Sequence, residues 1–253
     1  MNDLESYFVN NSGRQIFKWH HYFEIYDRHF KRFRGKEIVV VEIGVFQGGS
    51  LQMWKNYFGS AAKIYGIDIN PRVEELREEN IDIIIGSQSD KNFLRKLKNE
   101  LPPIDILIDD GGHKMKQQIF TFQELFSKVK PNGVYVCEDL ATSYHLGYGG
   151  GYKRRGTFIE FSKNLIDKLN AFHSEQKSFQ VNQLTTSIDS LHYYDNVLVI
   201  EKRLRDKPIA TKTGVPVLGD DTTFPTKGFA YDVLYFVNKI LQFLRLPSFK
   251  LNK

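Results

Sequence analysis

The chain has 253 residues, a formal net charge of +5 and 41% hydrophobic residues, which suits one large domain and excludes wholesale disorder. A single cysteine, Cys137, excludes a disulfide framework and a cysteine-rich zinc site. No run of about 18 apolar residues is present, and no basic segment followed by an apolar run opens the sequence. We therefore expect neither a membrane-spanning helix nor a secretory signal, and a cytoplasmic location.

Residues 1–36 are predicted to form a helical N-terminal extension. Aromatic side chains recur there at roughly helical spacing with basic side chains between them; the aromatic residues are Phe17, Trp19, Tyr22, Phe23 and Tyr26. This pattern favours a helix that packs on the main domain. Because the C-terminal residues are also basic, a nucleic-acid-binding surface is the alternative interpretation.

Residues 37–204 alternate between apolar runs and helical patterns with short connections, which predicts a doubly wound, mostly parallel α/β sheet. The predicted strands are Glu37–Ile43, Lys63–Ile69, Ile81–Ile85, Ile104–Ile108, Val134–Cys137, Phe179–Leu184 and Asn196–Glu201. The predicted helices between them are Leu51–Phe58, Arg72–Glu79, Lys91–Glu100, Lys116–Lys128 and Phe158–Ala171. We expect seven strands with an antiparallel end. Residues 205–253 are predicted to be an irregular tail with an amphipathic helix over 230–245, which would pack on its own domain or on a second copy of the chain.

The first three predicted strands end in residues that suit a nucleoside-containing cofactor. Gly44 and Gly48 follow the first strand four residues apart, a spacing that matches neither a P-loop nor G-x-G-x-x-G. Asp68 ends the second strand, where a carboxylate accepts hydrogen bonds from ribose hydroxyls. Gln88 follows the third strand, where a polar group would contact a base. Each signal is common alone, but three at successive strand ends favour a cofactor over a purely structural role.

Carboxylates and a histidine follow the fourth and fifth strands. Asp109 and Asp110 should point to opposite faces because side chains alternate along a strand. Asp110, Glu138 and Asp139 would then converge, and a cluster of oxygen ligands suits Mg²⁺, Mn²⁺ or Ca²⁺ rather than zinc. His113 is the expected general base, since imidazole exchanges protons near neutral pH. The alternative is that these acids cap the helices that follow.

A glycine- and aromatic-rich stretch follows the fifth strand over residues 144–155. Tyr144 and Tyr148 would belong to a lid over the substrate. Arg154 would contact an anionic group such as a phosphate. A solvated loop is the alternative interpretation.

Taken together, these motifs resemble class I S-adenosylmethionine (SAM)-dependent methyltransferases of the macrolide-sugar O-methyltransferase type, which are also related to cephalosporin hydroxylase-like proteins. The resemblance covers roughly residues 15–205 and is most specific in the pairing of Asp110-Gly111-Gly112-His113 with Glu138-Asp139. It implies that Asp110, Glu138 and Asp139 ligate Mg²⁺ or Mn²⁺ and that His113 acts as the base, with Asp110 beside it. The SAM contacts that it implies are Glu42, Gly44, Gly48, Ser50, Asp68, Gln88 and Asp109. Ser87 and Gly112 depart from the usual family residues, away from the implied metal ligands.

The resemblance implies a metal-dependent O-methyltransferase that acts on a small-molecule hydroxyl, such as that of a sugar, a glycoside or a phosphorylated metabolite. The cation would lower the pKa of the hydroxyl, His113 would take its proton, and the oxygen would attack the sulfonium methyl group. The alternatives are a cephalosporin hydroxylase-like oxygenase, a nucleic-acid methyltransferase and a non-catalytic SAM-binding protein. We expect a small-molecule partner rather than a nucleic acid or a membrane, with self-association left open.

Overall fold

The computed structural model describes residues 1–176, 179–217 and 228–249. Residues 1–208 form one compact unit, and the residues from 209 onward form a second. The seven strands are β1 Val39–Ile43, β2 Lys63–Asp68, β3 Ile81–Ile85, β4 Ile104–Asp109, β5 Val129–Cys137, β6 Ile188–Tyr194 and β7 Val197–Lys202. The α-helices are α1 Asp3–Val9, α2 Tyr22–Phe30, α3 Gly49–Phe58, α4 Lys91–Glu100, α5 Met115–Leu125, α6 Phe158–Asn170 and, in the second unit, α7 Phe229–Phe243. No helix in these ranges has the length and apolar character needed to span a membrane.

The strands form a single sheet in the order β3-β2-β1-β4-β5-β7-β6. The five strands from β3 to β5 run parallel, whereas β7 is antiparallel to β5 and β6 is antiparallel to β7. This confirms the predicted fold class. The chain order reverses between β1 and β4, and the crevice at such a switch point is the usual ligand site of a doubly wound sheet.

Each face of the sheet is covered by its own apolar core, because successive side chains along the buried strands alternate between the faces. On one face, the aromatic side chains of α2 and α3 pack against Val40, Ile106 and Val134. On the other face, α4, α5 and α6 cover Val41 and Leu107, together with Tyr135, Cys137 and their neighbours. Cys137, the single cysteine of the sequence, is fully buried in this second core.

Three elements differ from their predictions. The helix expected at Arg72–Glu79 is a 3-10 helix over Pro71–Leu76, which Asn70 caps by accepting from the Arg72 N–H at 3.1 Å. The fifth strand, expected at Val134–Cys137, begins at Val129, and its register against β4 shifts between Ile104 and Ile106. The prediction of a strand at Phe179–Leu184 is wrong, and the strand at this edge of the sheet is instead β6.

Local hydrogen bonding explains the misplaced strand. The Asn182 side chain accepts from the Leu184 N–H at 2.9 Å and from the Thr185 N–H at 3.3 Å, so it closes a turn where a strand would need free backbone groups. The actual strand, β6, is the edge of the sheet and includes His192. Edge strands tolerate such polar residues because one side of the strand has no partner strand.

Residues 14–33, which we call the N-terminal arm, pass the carboxyl ends of the strands without regular secondary structure and then form α2 and a 3-10 helix over Lys31–Phe33. Tyr22, Phe23, Tyr26 and Phe30 are almost fully buried in the same core as Trp54. The predicted packing on the main domain thus holds for Tyr22, Phe23 and Tyr26 in α2, whereas Phe17 and Trp19 precede the helix and remain exposed. The arm also brings polar groups to the ends of β4 and β5.

Candidate functional site

The loop after β1 is shaped by a close approach of two backbone segments. Gly44 has a φ of +98°, and a Cβ at this position would lie 2.0 Å from the Asp110 carbonyl oxygen. Only glycine fits here, because the site combines a left-handed backbone with contact against another main chain. The Asp68 carboxylate accepts from the Val45 N–H at 2.9 Å and thereby fixes the loop against the end of β2.

A cavity of about 530 Å³ opens at the carboxyl ends of β1 to β5. Nine of the residues predicted to form the site line it: Gly44, Ser50, Asp68, Gln88, Asp110, His113, Glu138, Asp139 and Tyr148. Arm residues complete the wall, namely Gln15, Ile16, Phe17, Lys18, Trp19 and Tyr22. The structure therefore brings the ends of the five parallel strands and the N-terminal arm to one cavity, whose volume is in the usual range for small-molecule sites.

Five predicted site residues lie behind or beside this cavity. Glu42 is fully buried and accepts from Ser50 Oγ at 2.8 Å, and burial raises its pKa to about 7 even though Lys18 opposes the shift. Gly48 precedes α3 with a φ of +75°. Asp109 accepts from Gln88 Nε2 at 2.5 Å, and burial raises its pKa to about 6. Glu42 and Asp109 therefore hold the side chains of the lining residues Ser50 and Gln88 in place through these hydrogen bonds.

The remaining two of the five predicted site residues outside the cavity wall are Tyr144 and Arg154. Tyr144 lines a separate cavity of about 500 Å³, which Tyr193, Ile166 and Lys163 also line. The Arg154 guanidinium donates to the Gly150 carbonyl oxygen at 3.2 Å, so its side chain folds back on its own loop. Of the three predicted substrate contacts, the structure thus brings Tyr148 alone to the cavity wall.

Asp110, His113 and Asp139 form a group whose potential ligand atoms all lie within 4.8 Å of one another. His113 Nε2 is 3.9 Å from Asp110 Oδ1 and 3.4 Å from Asp139 Oδ2. The two carboxylate oxygens at this spacing suit a divalent cation that prefers oxygen ligands, and the imidazole nitrogen lies beside them. Glu138 lies beside this group, but in the structure both of its oxygens accept hydrogen bonds from Lys18.

Lys18 is a component of the site that the sequence did not predict. Its ammonium group donates to Asp110 Oδ2 at 2.6 Å and to Glu138 Oε2 at 2.8 Å, and it lies 3.6 Å from Glu42 Oε1. Burial alone would lower the pKa of Lys18, but the three carboxylates raise it well above its usual value. The Lys18 side chain is therefore a permanent cation at the centre of the acidic cluster.

Two tyrosines of the arm hold the same carboxylates. Tyr22 Oη donates to Asp139 Oδ1 at 2.9 Å, and Tyr26 Oη donates to Glu138 Oε1 at 2.6 Å. The pKa of each tyrosine is raised by burial and by these neighbouring carboxylates. Burial and the charge of Asp110 likewise raise the pKa of Glu138. No local sequence signal marks these contacts, because the partners lie more than 90 residues apart in the chain.

Three non-glycine residues at the cavity have left-handed backbone conformations. Phe46, His113 and Asp139 have φ values of +52°, +52° and +56°, and each follows a different strand end. His and Asp tolerate this region better than most residues, whereas Phe does not. Such outliers tend to occur where surrounding structure holds a functional group in place.

Residues 41–140 match a family model described as a methyltransferase domain. The chain is 38% identical over 197 residues to 8-demethyl-8-alpha-L-rhamnosyl tetracenomycin-C 2'-O-methyltransferase of Streptomyces olivaceus, covering 74% of this chain and 52% of that protein. It is 39% identical over 197 residues to mycinamicin VI 2''-O-methyltransferase of Micromonospora griseorubida, covering 72% of this chain and 48% of that protein. The chain thus spans about half the length of these relatives.

A solved structure gives the same relationship. The MycE methyltransferase of the mycinamycin biosynthetic pathway, in complex with Mg, SAH and mycinamycin VI, matches with a TM-score of 0.71 and 33% identity. The match covers 85% of this chain and 55% of that one. The chain therefore carries a methyltransferase domain with the class I fold and is related to sugar O-methyltransferases.

Proposed function

We propose that the protein is a SAM-dependent, divalent-metal-dependent O-methyltransferase that acts on a sugar hydroxyl of a glycosylated small molecule. The observation that carries this proposal is the position of His113 Nε2, which faces Asp110 Oδ1 and Asp139 Oδ2 on the wall of the cavity that also includes Gly44 and Asp68. The name of the tetracenomycin-C relative, which specifies a rhamnosyl group, supports a sugar as the acceptor.

The end of the cavity formed by β1, β2 and β3 is the proposed SAM site. Gly44 lines this end of the cavity, and the lining residues Ser50 and Gln88 offer polar groups. Asp68 Oδ2 accepts from the Val45 and Phe46 N–H groups and Oδ1 accepts from the Asn70 N–H, so Oδ1 keeps a second lone pair for a ribose hydroxyl. Glu42, Gly48 and Asp109 stay predicted SAM contacts.

The end formed by β4 and β5 is the proposed reaction site, with Asp110, Glu138 and Asp139 as the metal ligands. A bound dication would supply positive charge that favours the ionised form of the acceptor hydroxyl. His113 Nε2 accepts the hydroxyl proton, and Asp110 and Asp139 stabilise the imidazolium that forms. The acceptor oxygen then forms a bond to the methyl carbon as the bond from that carbon to sulfur breaks. Alignment of these groups supplies much of the acceleration.

The acceptor would bind against the aromatic wall next to His113. Tyr148, Trp19 and Phe17 all line the cavity and remain at least 40% exposed. Exposed aromatic rings at a cavity suit a glycoside, since they offer apolar surface to its C–H groups, and Tyr148 adds a hydroxyl for hydrogen bonding. Tyr144 and Arg154 stay predicted contacts for parts of a larger acceptor. A phosphorylated acceptor stays a predicted alternative to a neutral one.

The alternative oxygenase would bind iron through two histidines and one carboxylate. Within the described part of the chain, the group at the cavity offers one histidine and two carboxylates, which favours the methyltransferase. A nucleic-acid substrate is disfavoured because the basic arm residue nearest the reaction site, Lys18, is buried against carboxylates. Cytoplasmic location and self-association stay predictions.

The test is a methyl-transfer assay with SAM, Mg²⁺ and a rhamnosylated polyketide, read by mass spectrometry. We expect the acceptor to gain one methyl group and the reaction to stop when EDTA is added. His113→Gln should reduce kcat at least about 100-fold, the usual size of a general-base contribution, while SAM still binds in calorimetry. His173→Gln, at an exposed position, is the control and should keep the kcat of wild type. Full activity of His113→Gln, or of wild type in EDTA, would contradict the proposal.

A further inference from the structure

The N-terminal arm places a buried positive charge inside the carboxylate cluster. The Lys18 side chain is 3% exposed, and its ammonium nitrogen lies within 3.6 Å of oxygens from Glu42, Asp110 and Glu138. These carboxylates follow or end three different strands, β1, β4 and β5. Burying them side by side without a cation would be costly, since like charges repel and lose hydration. Lys18 offsets part of that cost in the metal-free protein.

The arm also divides the oxygens of the cluster between two directions. Lys18 holds Asp110 Oδ2, whereas Asp110 Oδ1 faces His113 Nε2 at 3.9 Å. Tyr22 holds Asp139 Oδ1, whereas Asp139 Oδ2 faces the same nitrogen at 3.4 Å. Asp110 and Asp139 thus each have one oxygen bonded to the arm and the other facing His113 on the cavity wall. Such hydrogen bonds fix ligand orientation before an ion arrives.

We propose that Lys18 is a positioning residue that acts as the internal cation of this cluster and opposes the binding of the dication. It holds Asp110 and Glu138 in place when no divalent ion is bound, and its charge repels an ion that approaches the same oxygens. The identity of the dication rests on the proposed function. The arm therefore sets both the geometry of the cluster and the strength with which it binds a metal.

The proposal is tested with Lys18→Gln, which removes the charge but keeps a hydrogen-bond donor, and Lys18→Met, which removes both. Calorimetry with MgCl₂ alone should show at least about tenfold tighter binding for Lys18→Gln than for wild type, because a unit charge a few ångströms from the ion is removed. The melting temperature in EDTA should fall for both variants, and the increase on adding Mg²⁺ should exceed that of wild type. Lys36→Met, at an exposed position, is the control and should match wild type.

The outcomes separate this proposal from the proposed function. If wild type binds Mg²⁺ and Lys18→Gln binds it no more tightly, the proposed role of Lys18 is overturned, whereas the proposed metal-dependent function is not. If Lys18→Met is unfolded in EDTA and folds with Mg²⁺, the result supports the proposal in its strongest form; if Lys18→Met never folds, the Lys18→Gln affinity decides. Absence of Mg²⁺ binding in both wild type and Lys18→Gln overturns the metal-dependent function and the role of Lys18 with it.

Discussion

The two ends of the cavity are built in different ways. The end formed by β1, β2 and β3 relies on backbone: Gly44 lets two main chains touch, and Asp68 fixes the loop through N–H groups 22 and 23 residues away. The end formed by β4 and β5 relies on side chains that come from the arm, 92 to 120 residues away. The first end is thus built from the loops at the ends of neighbouring strands, whereas the second exists only when the arm is docked.

The largest effect is expected at the backbone-built end. Gly44→Ala would place a Cβ 2.0 Å from the Asp110 carbonyl oxygen at a φ of +98°, so the β1 and β4 loops would have to move apart. We expect a loss of about 3 kcal/mol or more in the free energy of unfolding, together with loss of SAM binding. Urea denaturation and calorimetry measure the two. Gly147→Ala, which has open space around it, is the control; similar behaviour of the two variants would show that the Gly44 contact is not essential.

The docking of the arm has an anchor outside the cavity that is sensitive to pH. The Glu201 carboxylate on β7 accepts hydrogen bonds from His29 at 2.6 Å and from Arg32. Burial raises its pKa, but these two partners lower it by more, from 4.5 to about 2. A lowered carboxylate pKa contributes stability above the unfolded pKa, and this stability is lost as the pH falls from about 5 toward 2.

Glu201→Gln should therefore unfold more easily at pH 7 by about 2 kcal/mol, allowing for the partial exposure of Arg32. The difference from wild type should shrink as the pH falls toward 2. Urea denaturation over a pH series measures it. The exposed pair of Arg28 and Glu24 provides the control, and Glu24→Gln should show no measurable change. An equal loss at pH 3 and pH 7 would mean that the Glu201 anchor does not act through its charge.

The smallest effect is expected for a single hydroxyl at the end built by side chains. Tyr22→Phe removes the donor to Asp139 Oδ1 but leaves the Asn196 side chain, which donates to the same oxygen at 3.0 Å. We expect Mg²⁺ to bind about fivefold more weakly, which corresponds to one net hydrogen bond, and SAM affinity to stay unchanged. Calorimetry with each ligand measures this. Tyr57→Phe, which loses a hydrogen bond to Asp27, is the control; a matched loss of SAM affinity in Tyr22→Phe would mean that the two ends are not independent.

The difference between the two ends of the cavity also explains which features the sequence could predict. Strands β1 to β4 were predicted to within two residues, because buried parallel strands are continuous apolar runs whose ends carry Gly and Asp. Nine predicted site residues line the cavity, since the carboxyl ends of parallel strands meet at one edge. These features are encoded locally, within a strand and the loop that follows it.

Lys18 could not be predicted because it stands alone between two aromatic residues in an extended segment, where no periodicity assigns it to a face. Its partners become apparent only when the arm is packed against the sheet. The edge strand was misplaced for a related reason: β6 is half-buried and polar, and its apolar pattern is weaker than that of Phe179–Leu184, which Asn182 folds into a turn. Features that depend on tertiary packing were thus the ones that sequence patterns missed.

The left-handed residues Phe46, His113 and Asp139 have a consequence for attempts to engineer this protein. Each holds a conformation that costs a non-glycine residue on the order of 1 kcal/mol or more. Selection for heat tolerance alone would therefore favour glycine or asparagine at these places, and at two of them it would erase the imidazole and the carboxylate that face each other. A thermostable variant of this domain that keeps these two side chains must therefore be stabilised at other positions, with the strained backbone at these three residues left unchanged.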